Sequence, residues 1–233
     1  MIQLLGAGVT VSLPASGSSR TRVLLQPTTL ELGERRIAVI GANGSGKSTL
    51  LKLLNGLVLP SVGQVLVDGH DTARDGREVR RRVGFVFTDP LSQLVLATPA
   101  DDVELSLRPL VRDRAARRTE ALRLLTERGL AQVADQSVYD LSGGERQLVA
   151  LTSVLASRPR IVVADEPTTL LDLRNRDLVR AAIAGLEQQV VLATHDLELA
   201  AEADRVLVVD GGAVVADDEP DAAVAAYLRL VRP

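Results

Sequence analysis

The sequence contains no cysteine and only two histidines among its 233 residues. A disulfide framework and a thiolate metal site are therefore excluded, and a multi-histidine metal centre is not expected. Aromatic residues make up 2% of the chain. None interleaves the two most basic stretches, residues 77–82 and 112–118, so these read as solvated helix faces and no nucleic-acid partner is expected. No apolar run approaches the roughly 18 residues of a membrane-spanning helix. Residues 1–10 also lack the basic start and cleavage pattern of a secretory signal, so the chain is expected in the cytoplasm. What is present is 46% apolar content with a mixed-sign formal charge of −3. That suffices for one substantial core, or for a core plus a small satellite lobe.

Residues 2–32 mix short apolar alternations with Pro14 and a Ser/Gly-rich break at 16–19, the pattern of a β-hairpin lobe. Residues 37–40 form a continuous apolar run suited to a buried parallel strand, followed by a glycine-rich turn and a helical pattern over 49–54. Further strands are expected at 63–68, 82–87, 160–165, 190–194 and 205–210, with helical patterns at 173–186 and 197–203. A charged, leucine-spaced stretch over 101–128 reads as a small helical insertion, and residues 220–230 as a last helix with Pro220 near its start. Strands alternating with helices imply an α/β fold with a mostly parallel central sheet. No internal repeat is visible, so a single domain over 1–233 is expected. Its parts are a β lobe (1–32), a phosphate-loop core (33–87), a helical subdomain (88–140), a second core segment (141–219) and a C-terminal helix (220–233).

Gly41-Ala42-Asn43-Gly44-Ser45-Gly46-Lys47-Ser48 fits the P-loop pattern G-x-x-x-x-G-K-[ST], between an expected strand and an expected helix that Thr49 continues. Glycines let the backbone wrap closely round phosphates, and the helix start adds the positive end of its dipole. Lys47 then reaches the β and γ phosphates of ATP, and Ser48 ligates Mg2+. The apolar run 160–165 ends in Asp165 and Glu166, where a P-loop ATPase needs its second magnesium-handling element. Asp165 is read as holding the ion through water, and Glu166 as the base or positioner of the attacking water.

Leu141-Ser142-Gly143-Gly144-Glu145 resembles the signature sequence of ATP-binding-cassette proteins. Ser142 and Glu145 also have the spacing of a capping box that opens a helix over 146–156, a plain structural role compatible with anion binding at a helix start. Asp172, six residues after Glu166, is similar to the family's D-loop aspartate, and His195 in Ala193-Thr194-His195-Asp196 to its switch histidine. The resemblance implies a P-loop ATPase that pairs with a second cassette, a homodimer or a paralogue, each ATP lying between one chain's residues 41–49 and its partner's Ser142, Gly143, Gly144 and Glu145.

Thr88 occupies the place of the family's usual glutamine, and a second glutamine, Gln93 in Asp89-Pro90-Leu91-Ser92-Gln93-Leu94, resembles a segment of the energy-coupling-factor importers. Phe87-Thr88-Asp89-Pro90 is similar to the biotin-importer ATPases of that group. The resemblance implies a peripheral subunit on the cytoplasmic face of the membrane, with a transmembrane scaffold and a substrate-binding membrane protein as partners. Gln93 is expected in the nucleotide site and as the sensor of the membrane partner. Biotin is the favoured solute, with cobalt, nickel or another vitamin as the alternative. The family stacks adenine on an aromatic of the N-terminal hairpin, and residues 2–32 contain none. Modest ATP affinity and weak preference for ATP over GTP are therefore expected.

Overall fold

A computed structural model describes residues 1–15, 18–169 and 171–232. The chain divides into two compact units, the first made of residues 1–83 and 189–233, the second of 84–188.

In the first unit, β1 (Ile2–Ala15) and β2 (Ser18–Leu32) form the expected long antiparallel hairpin. The centre of its Ser/Gly-rich break lies outside the described residues. β1 pairs on its other side with β4 (Val62–Val67), which pairs with the short β5 (His70–Asp71), giving a four-stranded antiparallel sheet in the order β2-β1-β4-β5. The second sheet of this unit is built on β3 (Arg36–Ile40), whose residues 37–40 are fully buried. Such a strand has no solvated face, which is why its sequence is continuously apolar rather than alternating. β3 runs parallel to both β8 (Gln189–Ala193) and β9 (Arg205–Asp210), and β9 is antiparallel to β10 (Ala213–Asp218). β10 was not expected. Its sequence AVVADD has no buried residue, is half exposed and ends in two carboxylates, so it lacks the alternation by which a strand is read.

Between β3 and β4 lies α1 (Lys47–Asn55), which buries Leu50, Leu51, Leu53 and Leu54. Burial of each leucine contributes about 1.5–3 kcal/mol before its ordering entropy is counted. Gly56, at φ 72°, closes the helix, its N–H and that of Leu57 bonding the carbonyls of Leu53 and Lys52. The basic stretch is α2 (Gly76–Arg82), whose Glu78 pairs with Arg81 and Arg82 on an exposed face, as the reading of 77–82 anticipated. The unit is completed by α7 (Leu197–Ala200) and by α8 (Pro220–Val231), which starts on Pro220. α7 is shorter than the expected 197–203.

The second unit holds the end of β6 (Val83–Val86), its sheet neighbour β7 (Ile161–Asp165) and, among the described residues, six helical elements. A 3-10 turn spans Pro90–Ser92 and another Ala131–Val133. The expected insertion is two helices, α3 (Pro99–Leu107) and α4 (Arg114–Thr126), capped by Thr98 and Asp113. The reading of 112–118 as a solvated face needs correction at its end. Arg118 bonds Glu104, Asp101 and Asp135, and Arg117 lies 3.9 Å from Glu104 with its side chain 13% exposed. These arginines tie α4 to α3, a long-range charge match that a local run of like charge does not show. α5 (Gly143–Ala156) and α6 (Leu173–Ala184) complete the unit.

Candidate functional site

The sequence-derived candidates divide between the two units. In the first, the P-loop leaves the carboxyl end of β3, where Ile40 pairs with Val208 of β9. A Cβ at Gly41 would overlap the Val209 carbonyl, and one at Gly46, at φ 116°, would meet the Leu24 carbonyl at 2.9 Å. Glycine is required at both positions because main chain, which cannot rotate away, passes so close. Ala42, Asn43 and Gly44 are exposed on the outer side of the loop. The Ser45 N–H donates to Ala42 O at 3.1 Å, and the buried Ser45 hydroxyl has no hydrogen-bond partner among the described residues.

α1 begins directly after this loop with no side-chain cap and no acidic residue in its first turn. An N-terminus so built is electropositive and its first amides suit phosphate oxygens. Lys47 is 6% exposed, and its ammonium donates to Gly41 O at 2.9 Å and Ala42 O at 3.2 Å. The charge is held on the loop's own carbonyls, within reach of any anion the loop encloses. Ser48 and Thr49 follow in the first turn, partly exposed. A cleft of about 410 Å3 opens here, with Gly46, Lys47 and Thr49 on one wall and β2 on the other.

His195 belongs to the same edge of the same unit. Val39 pairs with Ala193, and the Thr194 N–H donates to Val39 O at 3.1 Å, so Gly41 and His195 leave neighbouring parallel strands at their carboxyl ends. That is where open α/β sheets place their ligands. The imidazole is exposed, and Asp196 beyond it caps α7 by accepting from the N–H groups of Glu198 and Leu199.

The carboxylates lie in the second unit. Asp165 ends β7 at 5% exposure, and the Thr88 hydroxyl donates to its carbonyl at 2.7 Å. Thr88, in the usual glutamine's place, thus holds the strand end that presents Asp165. Glu166 has φ 53°, a left-handed backbone uncommon for a side chain of this size, and accepts from the Thr169 hydroxyl at 2.9 Å. Such local strain is a feature of functional sites.

Ser142 and Glu145 form the expected capping box at the start of α5. The Glu145 N–H donates to the Ser142 hydroxyl, and the Glu145 carboxylate accepts from the Ser142 N–H and hydroxyl at 2.8 and 2.7 Å. These bonds, the hydroxyl's first, hold the Glu145 carboxyl below the usual carboxylate range. Asp172 caps α6, accepting from the Asn175 N–H and side-chain amide. Asn175 also packs against Gly144, where a Cβ would overlap its side chain. Gly144 at the start of α5 and Asp172 at the start of α6 are therefore joined through Asn175. The Asp-x-x-Asn spacing was the available signal for the cap, but nothing local predicts the contact with Gly144.

Gln93 spends both ends of its amide on main chain, accepting from the Phe87 N–H at 3.2 Å and donating to Ala150 O in α5 at 3.0 Å. Gln147, one turn into α5 from Gly143, donates to Phe87 O at 3.3 Å. The Phe87 peptide is thus gripped by two glutamines and linked twice to α5. Asp89 caps the 3-10 turn by accepting from the Leu91 N–H and the Ser92 hydroxyl, and buried Asp102 accepts from the N–H groups of Val95 and Leu96. Gln93→Ala removes two bonds and leaves two main-chain groups to find water, at about 1–3 kcal/mol. A melting temperature lowered by about 3–10 °C is the expected result in a thermal unfolding scan. An unchanged melt would show that these bonds contribute nothing.

Among the described residues, no group of three or more His, Asp or Glu is arranged to hold a metal ion, and no helix is long and apolar enough to cross a membrane.

Comparison with known proteins follows this geometry. The family described as ABC transporter matches residues 26–169. A Deinococcus radiodurans protein, described in general terms as an ABC transporter ATP-binding protein, is 47% identical over 206 residues, covering 88% of this chain and 91% of its own. The biotin transport ATP-binding protein BioM of Rhizobium etli is 44% identical over 216 residues, covering 93% and 96%. An energy-coupling factor transporter ATP-binding protein, EcfA1 of Lactiplantibacillus plantarum, is 40% identical over 189 residues, covering 79% and 67%. Among solved structures, a dimeric post-hydrolysis state of the ATP-binding cassette MJ0796, bound to ADP and Pi, superposes with a TM-score of 0.83 at 29% identity, covering 94% of this chain and 99% of that one.

Proposed function

Because the chain belongs to the ABC transporter family and is an ATPase of that family, we propose that it energises an energy-coupling-factor importer, with biotin as the solute. The observation that carries the reading is the 44% identity to a biotin transport ATP-binding protein along nearly the whole of both chains. The segment over 89–94, on which the resemblance to this importer group first rested, supports it.

On this reading the uncapped start of α1 and Lys47 bind the ATP phosphates. His195 faces the γ-phosphate from the neighbouring strand end, and Glu166 orients the attacking water and takes its proton. Mg2+, when bound, shields the phosphate charge. The donors offered to it, the Ser48 hydroxyl and the Asp165 carboxylate, are the hard oxygens that ion selects. So few protein ligands suit an ion that keeps waters and substrate phosphates.

Two such chains, or this one and a paralogue, face each other so that Ser142, Gly143, Gly144 and Glu145 of one close on the nucleotide of the other. Closure draws on ATP binding and hydrolysis reopens the pair. The membrane partners are a transmembrane scaffold and a small substrate-binding protein, and the chain works at the cytoplasmic face. Mass spectrometry of what copurifies with the tagged chain from detergent-solubilised native membranes tests this directly. A transmembrane scaffold with a biotin-binding membrane protein is the expected result. A permease that depends on a soluble solute-binding protein would replace the importer class, and soluble or ribosomal partners alone would remove the transport role.

A further inference from the structure

We infer that Arg22 is the platform on which the nucleotide base rests, its flat guanidinium standing where an aromatic ring would otherwise stack. The inference deepens the ATPase reading and depends on it.

The cleft beside the P-loop has Gly46, Lys47 and Thr49 on one wall and Arg22, Val23 and Leu24 of β2 on the other. Main chain fixes the second wall against the first. The Leu24 carbonyl lies 2.9 Å from where a Gly46 Cβ would be and 3.2 Å from where a Gly212 Cβ would be. The Gln26 N–H donates to Gly212 O at 2.7 Å, and the Gly212 N–H donates to Ser45 O at 2.8 Å. Strand β2 and the phosphate loop are therefore locked through the turn between β9 and β10. Arg22 lies two residues before Leu24 and lines the same cleft, in a stretch where β2 shifts register against β1 between Val23 and Leu25. With the phosphates held at Lys47 and the start of α1, the far end of a bound nucleotide has this strand as its wall.

Of the ten described residues lining the cleft, Arg22 alone carries a flat, delocalised side chain; the others are glycines, Val23, Leu24, Lys47, Ser48 and Thr49. The aromatics are elsewhere: Phe85, Phe87 and Tyr139 belong to the second unit, and Tyr227 sits on α8. Arg22 is exposed, its cross-strand neighbour is the uncharged Val11, and no ion pair or side-chain hydrogen bond engages it among the described residues. An unpaired guanidinium on a rigid strand stacks on a purine face by cation–π attraction and aims no donor at the base edge. The site should therefore hold adenine and guanine about equally.

The test is calorimetric binding of ATP, GTP and inorganic tripolyphosphate to the full chain and to Arg22→Ala, Arg22→Lys and Arg22→Tyr. Arg22→Ala should weaken ATP and GTP alike by roughly 5- to 30-fold, the range of a partly desolvated cation–π contact, and leave tripolyphosphate unchanged. Arg22→Lys, which keeps the charge and loses the plane, should recover only part of what the alanine variant loses, and Arg22→Tyr should recover ATP binding. Equal loss for tripolyphosphate, or full rescue by lysine, would show that Arg22 acts on phosphate charge and would overturn the stacking role. Unchanged nucleotide binding in Arg22→Ala would overturn it too, with the ATPase reading intact. A parent chain that bound no nucleotide would remove both.

Discussion

ATP turnover by a Glu166→Gln chain is expected to fall by about two to four orders of magnitude, with ATP affinity held within about threefold of the parent's. Glutamine has nearly the same shape, and its amide oxygen still accepts from the Thr169 hydroxyl that meets Glu166 at 2.9 Å. The left-handed backbone at φ 53° is a property of the strand end that glutamine inherits. What is lost is basicity, because an amide cannot take a proton from water near neutral pH. Phosphate release under saturating ATP, with calorimetric binding and a thermal melt as controls, separates these effects. Turnover above a tenth of the parent's would mean that another group activates the water.

The second large effect is expected at Lys47. Its ammonium donates to Gly41 O and Ala42 O of the loop. On the proposed function, Lys47→Ala should remove a charge-assisted phosphate contact worth about 1.5–3 kcal/mol, or roughly a 10- to 150-fold loss of ATP affinity. It also leaves loop carbonyls without their donor, so the nucleotide-free protein should melt a few degrees lower. Ligand stabilisation depends on the ratio of concentration to Kd, so the rise in melting temperature with ATP should shrink sharply. A variant that ATP stabilised as strongly as the parent would place phosphate recognition somewhere other than this loop.

The parts of this protein legible in its sequence are those whose physics is local. The run over 37–40 must be a strand buried on both faces, because no alternation offers it a solvated side, and β3 is that strand. Ser142 and Glu145 announce a capping box because a helix start brings positions three apart into contact, and both reciprocal bonds form. Pro220 starts α8 because its missing N–H is one the first turn does not use. The glycines of the P-loop could be read as a phosphate wrap, and the uncapped helix start agrees with it.

Where the sequence reading erred or stopped short, the energy came from groups far apart in the chain. Arg117 and Arg118 looked solvated because their own neighbours are basic. Glu104 and Asp135, 14 and 17 residues from Arg118, supply the counter-charge only once α3 and α4 pack. Gln93 could be placed in a family segment, but its bonds to Phe87 and Ala150 need the 3-10 turn and α5 brought together. Asn175 meets Gly144 for the same reason, across 31 positions of sequence.

The sequence by itself determined the buried strands and most of the helices, the phosphate loop, the capping box and the chemistry each candidate residue carries, because propensity, periodicity and capping act over a few residues. Only the tertiary structure decided that Gly41 and His195 share one sheet edge, that Asn175 joins Asp172 to Gly144, and that Arg22 rather than an aromatic lines the cleft beside the P-loop. Those arrangements depend on which buried strands lie side by side and which backbones approach without a Cβ between them. Long-range packing sets both.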